Sequence, residues 1–178
     1  MKFIKIFIIT VGMSLLTAAA AMADNSLQTG AKALSFGVSN SDILISGRYF
    51  LQPDLAVLGG VGFDHSSNND STSDYGLTAG VRKYIKTTDL APFVGGVVSY
   101  RRNDIIVPTS GGGTNVESEK TFSLDGVAGL EYFVAKQVSV EAQVGIGLSS
   151  IHNVDGTGDD ETQFGTFSSG ITVNFYLP

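Results

Sequence analysis

From residue 31 onward, apolar and polar residues alternate with a period of two. In "VSVEAQVGIGLSS" (138–150), one set is Val138, Val140, Ala142, Val144, Ile146 and Leu148, while the other is Ser139, Glu141, Gln143, Gly145, Gly147 and Ser149. Successive side chains of a strand point to opposite faces, so this segment has one apolar face and one polar face. The same pattern marks eight strands, roughly 31–38, 42–51, 55–64, 74–85, 90–102, 121–134, 138–149 and 164–177. Strand five is read with Pro92, Val94, Val98 and Tyr100 on its apolar side. Helix-period stripes are absent, and 22 glycines against 4 prolines suit strands better than helices. Most segments reach about ten residues, the length of a tilted strand across a bilayer and longer than the usual soluble strand of about five or six.

The connections alternate in length. "QPD" (52–54), "KTTD" (86–89) and "AKQ" (135–137) are tight. "HSSNNDSTS" (65–73), "NDIIVPTSGGGTNVESEK" (103–120) and "IHNVDGTGDDETQ" (151–163) are long and polar, with "SNSD" (39–42) as the short member of that set. Tight turns at one end and long loops at the other are the pattern of an outer-membrane barrel. The fold expected is therefore all-β, an eight-stranded antiparallel up-and-down transmembrane barrel, with both termini on the tight-turn side.

The polar face decides which way the barrel is turned. It holds Arg48, Arg82, Asp125, Glu131 and Glu141 among glycine, serine and threonine. A soluble barrel would present this set to water, yet soluble surfaces are richer in lysine, glutamate and threonine. A narrow barrel interior suits it better, because small residues make room and buried charges pair with one another. These five residues are the expected lumen charge network, read as a salt-bridged plug, with a small or gated pore as the competing reading. Tyr49, Phe63, Tyr75, Tyr100, Phe122, Tyr132 and Phe175 fall near strand ends on the apolar face, where aromatic girdles meet membrane interfaces.

Residues 1–23 stand outside this pattern. Lys2 and Lys5 precede an apolar run that ends in Ala21-Met22-Ala23, a small-x-small cleavage pattern, so this segment reads as a secretory signal peptide and the barrel domain as 24–178. The chain contains no cysteine, so disulfides and thiolate chemistry are excluded. Its net charge of −6 argues against nucleic acid as a partner.

"GLTAGVRKYIKTTDLAPFVGGVVSY" and "GVAGLEYFVAKQVSVEAQVGIGLS" resemble the small outer-membrane β-barrel proteins, the OmpA-transmembrane-domain-like and opacity-protein-like, porin-like superfamily of Gram-negative bacteria. The resemblance covers the chain from about residue 31 to its end. It implies localisation in the outer membrane and a non-enzymatic structural, surface-antigen or adhesion role. Its implied partners are outer-membrane lipid and lipopolysaccharide, the barrel assembly machinery, and a host or environmental ligand at the loops. A monomer is the simplest expectation. In such families the last strand carries an assembly signal, and Ser168, Gly170, Val173 and Phe175 match its spacing, although Tyr176-Leu177-Pro178 follows in place of a terminal phenylalanine.

Two loop motifs offer residues with candidate chemistry. His65, Ser67 and Asn68 form an H-x-S-N arrangement that resembles the motif of lipid A deacylases, and a lipid A-modifying hydrolase using His65 and Ser67 is the second alternative function. Asp155, Asp159, Asp160 and Glu161 are hard oxygen donors, but they lack the ordered register of a calcium loop. No catalytic residue, metal or cofactor is expected.

Overall fold

The computed structural model describes residues 25–39, 42–66, 72–108, 114–153 and 161–177. The expected signal peptide lies outside the described residues. Eight strands follow in chain order: β1 (Lys32–Ser39), β2 (Asp42–Gln52), β3 (Leu55–Ser66), β4 (Thr72–Tyr84), β5 (Leu90–Pro108), β6 (Thr114–Ala135), β7 (Val138–Asn153) and β8 (Glu161–Leu177). Each pairs antiparallel with its sequence neighbour, and β1 pairs with β8, so the sheet closes into a barrel without a free edge.

The strands run further toward the long-loop end than the hydrophobic pattern suggests. The segment 103–120 reads as loop, yet β5 continues to Pro108 and β6 begins at Thr114, with unbroken pairing from Asn103↔Glu119 to Pro108↔Thr114. Apolar alternation marks only the part of a hairpin whose outward face is apolar. Beyond that part both faces are free to be polar, while the backbone ladder continues. The same extension carries β7 to Asn153 and β8 back to Glu161.

The two faces separate as the period-two pattern requires. Every strand exposes large apolar side chains outward, for example Phe36, Ile43, Val57, Leu77, Val98, Leu124, Ile146 and Ile171. On β5 the outward set from Leu90 to Tyr100 spans ten steps, roughly 33 Å along the strand and about 25 Å in height at a 40° tilt. The girdle aromatics Tyr49, Phe63, Tyr75, Phe122 and Tyr132 are exposed on this face. Phe175 packs edge-on against Phe36, with ring centroids 6.1 Å apart.

β8 contains one irregularity, between Gly147↔Thr166 and Leu148↔Phe164. Gly165 occupies the extra position at φ 82°, a left-handed conformation that glycine adopts freely. This bulge lets Phe164 and Phe167 both point outward although they are three residues apart, and they are among the most exposed apolar residues of the barrel.

The buried apolar cluster sits inside the barrel at the tight-turn end. Phe50, Tyr84, Phe93, Phe133 and Tyr176 point inward, together with Ala33, Ala56 and Ala91. Their rings contact one another at centroid distances of 5.2–6.1 Å, within the range favoured by aromatic pairs. The segment before β1 crosses this mouth. Gly30 donates its N–H to the Phe50 carbonyl (2.8 Å), Asn25 Nδ2 donates to the Thr87 carbonyl (2.7 Å), and Ser26 Oγ donates to the Lys136 carbonyl (2.6 Å). Leu27 lies buried against the aromatic cluster.

Candidate functional site: the charged layer of the lumen

Directly above the aromatic cluster, four charges from four strands meet inside the barrel. Arg48 comes from β2, Arg82 from β4, Glu131 from β6 and Glu141 from β7. Arg48 Nη1 lies 2.8 Å from Glu131 Oε2, and its Nη2 lies 2.7 Å from Glu141 Oε2. Arg82 Nη1 shares that Glu141 oxygen at 2.5 Å, while Arg82 Nη2 donates to Gln143 Oε1 at 2.7 Å. The layer holds two guanidinium and two carboxylate groups, so its formal charge balances.

Glu131 is the centre of this layer. It is fully buried and accepts from five donors. Arg48 Nη1 and Tyr84 Oη (2.6 Å) donate to Oε2. Tyr176 Oη (2.7 Å), Asn174 Nδ2 (3.0 Å) and Ser139 Oγ donate to Oε1. A carboxylate offers about four lone-pair sites, so this side chain is saturated. Tyr84 also accepts from Arg48 at 2.7 Å, and Asn174 donates to Ser139 at 3.0 Å. Buried ion pairs seldom add much net stability, because desolvation offsets the Coulomb gain, but removing one partner strands the other at a cost of about 3–5 kcal/mol. The layer is therefore best understood as a lock whose parts depend on one another.

The aromatic and charged layers are joined. The Arg82 guanidinium lies over the Phe93 ring, 4.5 Å from its centroid, a cation–π arrangement. Phe93 has room because β6 carries Gly129 opposite it. A Cβ at Gly129 would run into the Phe93 ring and the Ala142 carbonyl.

Asp125 does not join the layer. It lies six residues beyond Glu131 on β6, toward the long-loop end, half-buried on the inward face, and no ion pair links it to Arg48 or Arg82 among the described residues. The expectation of a five-membered network is corrected to four charges. The physical reason is distance along the strand: Glu131 and Glu141 face each other in register, whereas Asp125 faces Gly147.

The polar pattern places Ser139, Gln143 and Asn174 on the inward face without naming them as partners of the charges, and it does not pick out Tyr84 and Tyr176 or the inward rings Phe50, Phe93 and Phe133. Simple parity finds four of these aromatics. Phe50, Tyr84, Phe133 and Tyr176 each follow an inward polar residue (Arg48, Arg82, Glu131, Asn174) by two positions, so each shares its face.

Outward from the charged layer the lumen widens into a cavity of about 390 Å³, bounded by Ser46, Thr78, Ser99, Ser123, Asp125 and Thr166. Of the expected assembly signal, Ser168 and Gly170 face the lumen side of β8 and Val173 and Phe175 its outer side. His65 stands in β3 opposite Ser73, while Ser67, Asn68, Asp155, Asp159 and Asp160 lie outside the described residues. Among the described residues, no three His, Cys, Asp or Glu side chains gather as metal ligands.

At the tight-turn end, outside the lumen, Lys83 of β4 pairs with Asp54 in the β2–β3 turn. The hydrogen bond from the Lys83 ammonium holds the Asp54 carboxyl below the ordinary carboxylate range.

No family model matches the chain, and no curated protein matches it in sequence. Solved structures with a similar shape include the N-terminal β-barrel domain of Pseudomonas aeruginosa OprF, with a TM-score of 0.52 and 17% identity over 84% of this chain and 98% of that one. Neisserial surface protein A matches with a TM-score of 0.45 and 18% identity, over 83% of this chain and 92% of that one. Ail, the attachment invasion locus protein of Yersinia pestis, matches with a TM-score of 0.43 and 14% identity, over 84% of this chain and 100% of that one. The likeness to the OprF domain is one of fold, and it is the fold reached independently from strand order and register: a closed, all-antiparallel barrel of eight strands.

Proposed function

We propose that this chain is an integral outer-membrane protein without enzymatic chemistry, whose barrel is a sealed scaffold and whose long loops carry its contacts at the cell surface. The single observation that carries the reading is the inverted polarity of the barrel. Apolar side chains on all eight strands face outward, while two arginines and two glutamates are buried inside. Soluble monomers rarely expose contiguous apolar patches beyond a few hundred Å², and a band about 25 Å tall matches the apolar height of outer-membrane barrels. The tight turns then face the periplasm. The membrane's lipid and lipopolysaccharide, and the machinery that inserts barrels, are the partners this placement brings. The adhesion or antigen role belongs to the loops.

A gated pore is the second reading. The cavity on the long-loop side favours it. The aromatic cluster and the segment 25–31 across the opposite mouth weigh against it.

The membrane reading is tested by refolding the chain into phosphatidylcholine vesicles. The expected result is a folded species with heat-modifiable gel mobility, whose strands resist protease while the loops are cut. A folded chain that stays in the aqueous phase would overturn it.

A further inference from the structure

β1 is too short for the wall it belongs to. It holds eight residues, Lys32–Ser39, against the roughly 9–11 of a strand that crosses a membrane. Its length is roughly 23 Å, about 18 Å in height at a 40° tilt, short of an apolar band of about 25 Å. At the tight-turn end it starts level with its neighbours, since Lys32 pairs with both Tyr49 and Leu177. The deficit therefore lies at the long-loop end. There Ser39 is paired with Gly170, while β8 runs on to Glu161. The barrel closes below this point, and above it β8 overhangs β1. Among the described residues no strand pairs with the β1 side of β8 from Thr162 to Ser168. This overhang belongs to the apolar band and not to the loops, because its outward face carries Phe164 and Phe167, 84% and 68% exposed.

The gap beside this overhang leads to the lumen cavity. Leu44 of β2 and Thr166, Phe167 and Ser168 of β8 stand on its two sides, and all four border the cavity of about 390 Å³. That volume equals on the order of a dozen waters, which is room for a head group of sugar size. Backbone groups at hydrocarbon depth stay unpaired only where they line a polar space. Alternate residues of a strand turn their N–H and C=O to the same side, so the overhang offers both donors and acceptors to the gap. Buried side chains around the cavity add more of each kind. Glu141 is 1% exposed, and its Oε1 has no hydrogen-bond partner among the described residues. The same holds for Thr166 Oγ1 and for Nε of Arg48 and Arg82, and all four residues border the cavity. A cationic head would answer only the Glu141 oxygen, and an anionic head only the two Nε–H groups. Hydroxyls both donate and accept, so an uncharged polyol suits the whole set.

We propose that the gap between β8 and β1 admits a single-chain amphiphile with an uncharged sugar-like head from the surrounding lipid. The inference rests on the membrane reading above and deepens it. The head enters past Thr166 and lodges in the cavity, above the charged layer. The chain stays outside, along Phe164 and Phe167. The two parts of the site thus match the two parts of the ligand. The cavity carries hydroxyls and unpartnered polar atoms, while the overhang carries exposed rings. Asp125 on the cavity wall adds a further reason for an anionic head to be refused. A free sugar would have no use for the apolar rings at the gap.

The test uses the full chain in phosphatidylcholine vesicles, with insertion checked first by heat-modifiable mobility. The probe is dodecyl maltoside below its micelle concentration, with a photoreactive diazirine on the distal sugar. Labelled residues are mapped by mass spectrometry after irradiation. The expected label falls on inward residues such as Ser46, Ser123 and Ser168. Unlabelled dodecyl maltoside should suppress it at least about tenfold more effectively than dodecyl sulfate, dodecyltrimethylammonium or maltose alone, the worth of one or two hydrogen bonds or of the lost chain contact. Label confined to outward residues or loops would overturn the site. Equal competition by the charged amphiphiles would overturn the polyol head, and equal competition by maltose would mean entry through the open mouth without the gap. Thr166→Phe, which fills the entrance, should lower the label about tenfold by the same measure, while Val98→Ala on the far wall should leave it unchanged. Undiminished label in Thr166→Phe would contradict entry at the gap. Should that variant fail to fold, the competition pattern of the wild type decides alone. A folded chain that never enters the vesicles would sink the membrane reading itself, a distinct failure.

Discussion

At the tight-turn end of the lumen, Phe50, Tyr84, Phe93, Phe133 and Tyr176 fill the barrel beneath four buried charges. Toward the long-loop end the same strands carry Ser46, Thr78, Ser99 and Ser123 around a cavity of about 390 Å³. One half is packed and cross-linked by ion pairs, and the other is open and lined by short polar side chains. The contrast shows that a barrel interior need not be uniform. Rigidity and closure are concentrated in the half near the termini and tight turns, which leaves the other half free to vary with the loops above it.

The sharpest way to break this contrast is Glu131→Ala. It removes the acceptor of five donors and leaves the two buried arginines, Arg48 and Arg82, sharing one carboxylate, Glu141, so stability should fall by about 3–5 kcal/mol. The check is the urea midpoint of unfolding from vesicles, read by gel mobility. A shift below about 1 kcal/mol would mean that the layer does not act as a unit.

A paired comparison sharpens the same point. Phe50→Ala should cost about 3 kcal/mol or more, through lost burial and the cavity left behind, while Ser99→Ala in the open half should stay within about 0.5 kcal/mol. Equal effects in the same unfolding assay would remove the distinction between the halves.

Asp125 lies on the boundary. It stands apart from the four-charge layer, so Asp125→Asn should change stability by no more than about 0.5 kcal/mol. A cost near that of Glu131→Ala would restore the five-membered network expected from the sequence.

The smallest effect lies outside the lumen. The Asp54 carboxyl is held low by Lys83. Because its folded value is depressed, its contribution to stability is present above the unfolded carboxylate value and is lost as pH falls through the folded one. Asp54→Asn should therefore lower the unfolding midpoint slightly at neutral pH and leave it unchanged in strong acid. A difference that grows toward acid would have the wrong sign.

How much of this could be read in the sequence follows from the same physics. The eight strands, their facing and the tight turns were legible because one apolar and one polar face impose strict alternation along each strand, as in Val138 to Leu148. The pairing of Arg48 and Arg82 with Glu131 and Glu141 was legible as a need, since buried charges require partners. Which acid meets which arginine was not, because that depends on stagger around the barrel. Asp125 shares the face of Glu131 but stands opposite Gly147 rather than Glu141. The aromatic base is legible only through parity: Phe50, Tyr84, Phe133 and Tyr176 each share the face of the inward polar residue two positions before them, whereas residue type and a place near a strand end alone suggest a girdle ring. The extended β5–β6 hairpin went unread because polar composition resembles loop once the strands leave the apolar band.

The aromatic and charged layers together should close the lumen at its tight-turn half. Single-channel recording of the folded chain in planar bilayers tests it most directly. A closed lumen gives no discrete conductance steps from a sample shown to be folded. Reproducible steps whose size changes on Arg82→Ala would contradict it, and would turn the charged layer from a lock into the selectivity filter of a pore.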